Sequence, residues 1–483
     1  MPTAYSSPPC QSSPPQFQLL REWLRGCDQK HKCKGPRNYW PTRIIFIGGP
    51  DRNILKLVKK QDMGEDSTGG DYIALSHCWG SPTDEEKKRF CTTKRNYQHR
   101  LQGFNYDDLP KTFQDAVRAT RELQKQYLWI DSLCIIQGDD GDWEKEAGEM
   151  EHVFSSAYCT IAASSASDCR DGFLEWDLDS QNIEIQDIRG GSTYTCDFNK
   201  DVDKGALSRR ASVLQERVLS RRIIHFAAKQ TYWECGEGVR CENFTRLRCP
   251  PKRQHFILDP NFPDRLHLSG YNRTVDFVRF LFKKYSRCDL TVKSDRDTAI
   301  IGLVNRVSTA LRTEARYGIL RCFFASLLLW KRSADEKTAR IAYKGRTVPS
   351  WSWMAYFGGI HFLSNSKLKV PPRADLDFSS VDGALIVQVR QFEHCRMERE
   401  GEIHAIFADT KRVGSLWFDM AANIEFGHCV VVGMREKKKG DPQKTYCVLV
   451  VRRKQSGQEH ERLGVGEVEA RYVSRNCNAG TLW

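Results

Sequence analysis

Two apolar stretches decide the fold of the first half of the chain: Tyr72–Gly80, with the sequence YIALSHCWG, and Tyr127–Ile136, with the sequence YLWIDSLCII. Each starts with a short run of aliphatic and aromatic residues, which is typical of a buried strand. The first run ends at a polar turn, His77–Gly80, and the second is interrupted by Asp131 and Ser132. We therefore predict two buried strands that end in polar residues of the kind that functional sites use.

Helices and further strands alternate around these two stretches. An amphipathic helix is predicted from Asp108–Pro110 onward, because apolar residues recur there at the spacing of one helical face. The other predicted elements are helix Trp143–Tyr158, strand Thr160–Ala163 and helix Leu207–Leu219. Arg222–Ala227 together with Tyr232 and Trp233 are predicted to form a fourth strand. Strands that alternate with helices predict an α/β unit with a parallel, doubly wound sheet, which we place at 72–235.

The flanking segments have different compositions. Residues 1–16 are rich in Ser, Pro and Gln and are expected to be disordered, and 17–71 form a lead-in with Cys, His and short strands at 44–47 and 55–58. Residues 236–345 are expected to be mainly helical. From 346 to 483 short apolar runs separated by turn residues predict a β-rich C-terminal region.

Composition restricts the class of protein. Hydrophobic residues make up 40% of the 483 residues, which is enough for a substantial core. Lys and Arg exceed Asp and Glu by 74 − 61 = 13, but the charge is spread along the chain without a basic and aromatic stripe. We therefore do not expect a nucleic-acid partner.

The chain is expected to be cytoplasmic. Its longest clean apolar run, Cys322–Trp330, is half of the ~18 residues that a membrane-spanning helix needs, and the N-terminus lacks the pattern of a signal peptide. In a reducing compartment the 18 cysteines are expected to be mostly thiols, core residues or metal ligands rather than a disulfide framework. The common signatures GxxxxGK[ST], HExxH and GxSxG, and a strand-linked GxGxxG, are absent.

One cysteine group has the composition of a metal site. Cys27, His31 and Cys33 lie within seven residues, and zinc is the metal that such ligands favour. A structural zinc site needs four ligands, so the remaining one would come from another part of the chain or from water. A looser second set is formed by Cys235, Cys241 and Cys249. The alternative for all of these cysteines is a small buried side chain without a ligand.

Three ordered blocks of the sequence resemble the HET (heterokaryon incompatibility) domain of filamentous fungi. Tyr72–Gly80 is similar to the opening block, and Leu109–Ala116 running into Leu128–Gln137 is similar to the middle block. Val213–Ser220 resembles the closing block. The resemblance implies an intracellular protein of non-self recognition and programmed cell death, with a protein partner that the sequence does not identify. It leaves open a homo-oligomer.

The HET fold also resembles, more distantly, the TIR domain, a flavodoxin-like α/β unit. Some TIR domains cleave NAD at the nicotinamide bond with a glutamate that stands four residues after a Trp. In this chain that frame falls on Glu216, with Ser212 in place of the usual Trp. The resemblance thus implies Glu216 as a catalytic candidate and NAD as a substrate. The alternative is a structural salt bridge from Glu216 to one of the nearby arginines.

Ligands of parallel α/β sheets bind at the carboxyl ends of the strands. The residues that the sequence places there, as candidates for the wall of a ligand pocket, are Ser76, Trp79, Gly80, Asp131, Cys134 and Gln137. Each has an ordinary structural alternative: a packed aromatic ring for Trp79, a cap of a neighbouring loop for Asp131 and a fixed turn for Gln137. No histidine lies near Cys134 in the sequence, which disfavours a nucleophile there.

Overall fold

A computed structural model gives the fold of the chain. It describes residues 14–31, 33, 39–63, 71–138, 140–175, 197–243, 246–247, 266, 270–290, 292–333, 339–343, 345–364, 368–370, 375–420, 424–436, 444–454 and 457–483. The chain divides into two compact units, unit 1 at residues 1–262 and unit 2 at residues 263–483.

Unit 1 consists of one sheet and the helices that cover it. Its strands are β1 (Arg43–Phe46), β2 (Ile54–Lys59), β3 (Tyr72–Ser76), β4 (Phe104–Asn105), β5 (Tyr127–Trp129), β6 (Cys159–Ala162), β7 (Arg222–Phe226), β8 (Thr231–Cys235), β9 (Gly238–Cys241) and β10 (Arg246–Leu247). Its helices are α1 (Pro15–Lys30), α2 (Asp84–Phe90), α3 (Tyr97–Gln102), α4 (Lys111–Glu122), α5 (Asp131–Cys134), α6 (Asp140–Ser156) and α7 (Ala211–Leu219).

The centre of the sheet is parallel, as the sequence predicted. Strands β5, β3, β6 and β7 lie side by side in that order, and each neighbouring pair is parallel. Helices α4, α6 and α7 fall between successive parallel strands, which is the connection that parallel neighbours require. Every residue of β3, β6 and β7 is buried, in accord with a sheet covered on both faces.

The whole sheet is mixed, so the expected parallel sheet is wrong for its flanks. The full order is β10-β9-β8-β7-β6-β3-β5-β1-β2-β4, and the pairs outside the four central strands are antiparallel. The predicted fourth strand is in fact two, because the chain reverses between Phe226 and Thr231. A connection this short joins only antiparallel neighbours.

The predicted strand over Tyr127–Ile136 is also shorter than expected. Strand β5 ends at Trp129, and the short helix α5 begins at Asp131. The Asp131 carboxylate accepts a hydrogen bond of 2.6 Å from the backbone N–H of Ser132, which is the local bonding that favours a turn over a continued strand. The two polar residues therefore mark the end of the strand rather than an interruption in it.

The lead-in before the predicted α/β unit packs on that same sheet. Helix α1 buries Phe17, Leu20, Trp23, Leu24 and Cys27 on one face. Asp28 accepts a hydrogen bond of 2.8 Å from the Tyr158 hydroxyl and lies 2.8 Å from Arg222. Residues 1–13 of the N-terminus expected to be disordered lie outside the described residues, and α1 already begins at Pro15.

In the part of unit 2 that the structure describes, three α-helices accompany a large, mainly antiparallel sheet. The helices are α8 (Tyr271–Ser286), α9 (Thr298–Ala310) and α10 (Phe324–Leu328). Short strands pair into two-stranded sheets, β11 with β12, β13 with β16 and β14 with β15. Their bounds are β11 (Ala315–Arg316), β12 (Ile319–Leu320), β13 (Trp330–Arg332), β14 (Ala339–Arg340), β15 (Tyr356–Phe357) and β16 (Ile360–Phe362). The main sheet contains β17 (Leu376–Phe378), β18 (Leu385–Gln391), β19 (Arg396–Glu400), β20 (Ile403–Ala408), β21 (Lys411–Phe418), β22 (His428–Glu436), β23 (Lys444–Arg453), β24 (Glu459–Glu469) and β25 (Asn478–Leu482).

The β-rich C-terminal region is confirmed, with strands longer than the apolar runs that predicted them. The main sheet of unit 2 has the order β17-β18-β22-β23-β24-β21-β20-β19, and β25 pairs with β18 and β24. Within the region expected to be mainly helical, α10 ends at Leu328, and Trp330 begins β13. None of the helices in the described part of the chain combines the length and the apolar character that a bilayer crossing requires.

Candidate functional site

Three of the candidate pocket residues meet at the carboxyl edge of the parallel strands. Ser76 is the last residue of β3, and Asp131 follows the end of β5. The indole Nε1 of Trp79 donates a hydrogen bond of 2.8 Å to the Asp131 carboxylate. Strands β3 and β6 are neighbours whose onward connections lead in opposite directions, to β5 and to β7, and a crevice at such a point is where open α/β sheets bind ligands.

Glu216 points into the same edge from α7. Its carboxylate is buried, and the Ser76 and Ser212 hydroxyls hydrogen-bond to it. Ser212 stands one helical turn before Glu216, so the two side chains share a face of α7. The second carboxylate oxygen, Oε2, has no hydrogen-bond partner among the described residues. A buried carboxylate oxygen without a donor is costly, and a site that keeps one is a candidate for function.

Two residues of this site were missed by sequence reasoning. His77 is buried, its Nε2 lies 3.8 Å from the Asp131 carboxylate, and its ring packs edge-on against Phe113. Arg210 precedes α7 and acts electrostatically on both His77 and Glu216. The sequence did contain a signal for His77, because this residue directly follows the candidate Ser76. Nothing in the sequence indicates that Arg210 lies opposite β3.

The two buried titratable groups of the site are shifted in opposite directions. Burial raises the pKa of Glu216 to about 7, and the Asp131 charge acts in the same sense, while the hydrogen bond from Ser76 opposes the rise. Burial lowers the pKa of His77, and the Asp131 carboxylate opposes that shift. A carboxyl group with a pKa near neutrality and an uncharged imidazole at the same sheet edge are suited to proton transfer or charge stabilisation.

The remaining pocket candidates take structural positions. Gly80 has a φ of +69°, and a Cβ at this position would meet Asp168, which explains the glycine. Cys134 is fully buried, which raises the pKa of its thiol to about 12 and leaves it protonated at neutral pH. The Gln137 side chain donates hydrogen bonds to the carbonyl oxygens of Asp131 and Ile135 and thereby fixes the turn after α5.

Two of the arginines considered as salt-bridge partners of Glu216 are bound elsewhere. Arg217 makes a bidentate pair with the fully buried Glu234, at 2.9 and 3.0 Å, and also contacts Asp203 at 2.7 Å. Arg222 faces Asp28. The charge that acts on Glu216 from the arginine side is instead that of Arg210.

The space beside Ser76 and α7 is small. A cavity of about 10 Å³ is lined by Ser76, Thr160, Ala162, Leu207 and Val213, among others. That volume is close to the minimum for one water molecule and far below that of a nucleotide. A larger ligand in this cavity would have to displace the turn at Leu207–Arg209, which forms part of its wall.

The cysteine group near the N-terminus gains a fourth member in the fold. Cys27, His31, Cys33 and Cys235 each offer one ligand atom, and these atoms all lie within 4.8 Å of one another. The three cysteines are buried and carry free thiols. This group can hold a metal ion. Cys235 comes from the second cysteine set of the sequence; Cys249 of that set lies outside the described residues.

A parallel sheet centre with titratable side chains at its carboxyl edge defines unit 1 as an α/β protein of the kind that places function at this edge. Comparison with family models gives the family: the model described as Heterokaryon incompatibility protein (HET) matches residues 72–223. Residues 72–223 therefore form a HET domain, as the three sequence blocks predicted. Comparisons with curated proteins and with solved structures found no match.

The raised pKa of Glu216 predicts a pH-dependent stability. The folded unit retains the Glu216 proton between pH 4.5 and about 7, whereas an unfolded chain releases it, so stability decreases as pH rises through that window. When the pH is raised from 4.5 to 8, the free energy of unfolding of Glu216→Gln should increase by up to about 3 kcal/mol relative to that of the wild-type chain. Urea unfolding at both pH values measures the difference. The exposed Glu22→Gln is the control, and an equal gain there would contradict the assignment.

Proposed function

We propose that the chain is a heterokaryon incompatibility-type effector that acts in non-self recognition and programmed cell death inside a filamentous fungus. The observation that carries this proposal is the HET match over 72–223. Action through protein contacts is the first hypothesis, and the small cavity beside Ser76, about 10 Å³, is in accord with it because it does not itself accommodate a nucleotide.

Induced expression in a fungal host tests the proposed function. We expect arrest of growth and loss of viability when the full chain is expressed, with a strain carrying the empty promoter as the control. Cellular NAD is followed in the same cultures. Death at constant NAD supports an effector that works through protein contacts, and unimpaired growth of cells that contain the folded chain would contradict a role in cell death.

A second candidate function is cleavage of the nicotinamide N-glycosidic bond of NAD, and Glu216 favours it. The Glu216 carboxylate is buried, its Oε2 has no hydrogen-bond partner among the described residues, and its pKa is about 7. A carboxylate in such a position can stabilise the positive charge that develops on a ribose when its base leaves. Asp131 would add a second negative charge from the end of β5, and Trp79, bonded to it, would hold that carboxylate in place.

The strand order also supports this second candidate. The four parallel strands, counted along the chain, lie in the order 2-1-3-4, as they do in flavodoxin-like sheets. We propose on this ground that the parallel core is related to the flavodoxin and TIR folds. Ser212 then occupies the place of the usual Trp, and its hydroxyl lowers the pKa of Glu216 by hydrogen bonding, which favours the carboxylate form.

A further inference from the structure

We propose that Cys27, His31, Cys33 and Cys235 bind one zinc ion in a closed structural site that fastens the N-terminal helix to the antiparallel flank of the HET domain sheet. The site lies outside the residues matched by the family, and it would form whether or not the domain cleaves a nucleotide.

Two segments that are far apart in sequence bring the ligands together. Cys27 lies in the last turn of α1 and His31 follows the helix four residues later, so both side chains face the same direction. Cys235 is the last residue of β8, 204 residues away from His31, and its sulfur lies 3.5 Å from the Nδ1 of His31. Convergence of four ligand residues at one point is not expected of cysteines that only fill a core.

The distances fit a tetrahedral ion. With Zn–S bonds near 2.3 Å and Zn–N bonds near 2.0 Å, ligand atoms around zinc lie about 3.5–3.8 Å apart. The ligand atoms here lie within 4.8 Å of one another, so movements of about 1 Å close the site. Three sulfurs and one imidazole are a ligand set that selects zinc over magnesium or calcium, which prefer oxygen.

Groups around the sulfurs supply the hydrogen bonds that bound thiolates require. The backbone N–H of Gly236 hydrogen-bonds to the Cys33 sulfur, and that of Glu237 hydrogen-bonds to the Cys235 sulfur. Both amides belong to the tight turn between β8 and β9. Such second-layer donors orient metal ligands and stabilise their negative charge.

A buried cation that also pairs with Asp28, Arg222, offsets part of the negative charge of the complex. Zinc with three thiolates and a neutral imidazole carries a net charge of −1. Arg222 acts electrostatically on Cys27, its side chain is 1% exposed, and its Nε has no hydrogen-bond partner among the described residues. Four protein ligands fill the tetrahedral coordination of zinc, so the site is structural rather than catalytic.

Metal analysis of the purified full chain tests the site. We expect about one zinc per wild-type chain after dialysis, and replacement by cobalt should give the visible absorption of a tetrahedral thiolate complex. Cys27→Ser and Cys235→Ser should lose most of the metal, and removal of the metal should lower the unfolding temperature of unit 1. Cys91→Ser, which alters a buried cysteine of the same unit outside the group, should keep the metal.

A conservative variant covers the case in which the serine variants fail to fold. His31→Cys retains four ligands and should keep the zinc, with the cobalt absorption shifted toward that of a four-thiolate site. Folded wild-type chain that contains no zinc and takes up no cobalt would overturn the proposal. So would a disulfide between any two of the three cysteines in chain purified under reducing conditions.

Discussion

Glu216→Gln is expected to reduce NAD cleavage at least a few hundredfold if the HET domain carries that activity. Glutamine keeps the shape of the side chain and its hydrogen bonds to Ser76 and Ser212, but it removes the charge that meets the developing cation. A loss of ~3–4 kcal/mol of transition-state stabilisation corresponds to this change in rate. In the wild-type chain the rate should rise with pH through about 7, as the Glu216 carboxyl group loses its proton.

Turnover of NAD by purified wild-type and variant chains measures the effect. Cys134→Ser is the matched control, because Cys134 lies at the same edge of the sheet and should retain full activity. Asp131→Asn should lower the rate less than Glu216→Gln does. Equal rates for wild type and Glu216→Gln would refute the catalytic assignment. Cell killing by the variant at full strength would favour the hypothesis of an effector that works through protein contacts.

Glu234→Gln should destabilise unit 1 by about 3 kcal/mol, because it leaves the buried charge of Arg217 with Asp203 as its remaining ion-pair partner. Glu234 is 0% exposed and also bonds to His225 at 2.9 Å, so the loss extends to a second buried group. For a unit of this size the change lowers the unfolding temperature by roughly 10 °C. Calorimetry of the full chain measures the shift of the unit 1 transition.

An exposed ion pair provides the contrast. Glu22→Gln breaks a pair with Arg25 in which both side chains are more than half exposed, and it should change stability by less than ~0.5 kcal/mol. Replacement of the buried pair as a whole, Arg217→Met with Glu234→Leu, should recover much of the loss. A Glu234→Gln chain that unfolds at the wild-type temperature would show that the buried network contributes little.

The sequence predicts what local periodicity determines. The apolar runs at Tyr72–Ser76 and Thr160–Ala163 locate β3 and β6 within a residue, and the helical spacing after Pro110 locates α4. Parallel order in the centre of the sheet follows from the alternation of helix and strand. The polar residues at the strand ends indicate the carboxyl edge correctly, because Trp79 and Asp131 do meet there.

What the sequence does not predict depends on contacts between distant segments. The lead-in strands β1 and β2 join the sheet through pairing with β5, and no local pattern specifies that neighbour. Cys235 joins the group of Cys27, His31 and Cys33 only because α1 packs beside β8. Likewise Arg210 acts on Glu216 because the chain returns to the edge of β3 after a long excursion, which spacing alone does not encode.

The antiparallel flanks of the sheet determine which fragments of this protein can be expressed as folded domains. A fragment limited to the family match, 72–223, lacks β1 and β8 and truncates β7. Strand β5 and the remnant of β7 would then become free edges, with unpaired N–H and C=O groups on buried, apolar backbone. Such edges pair with other chains, so recombinant fragments drawn at the family boundaries should aggregate. Expression vectors for this domain should instead span residues 14–247.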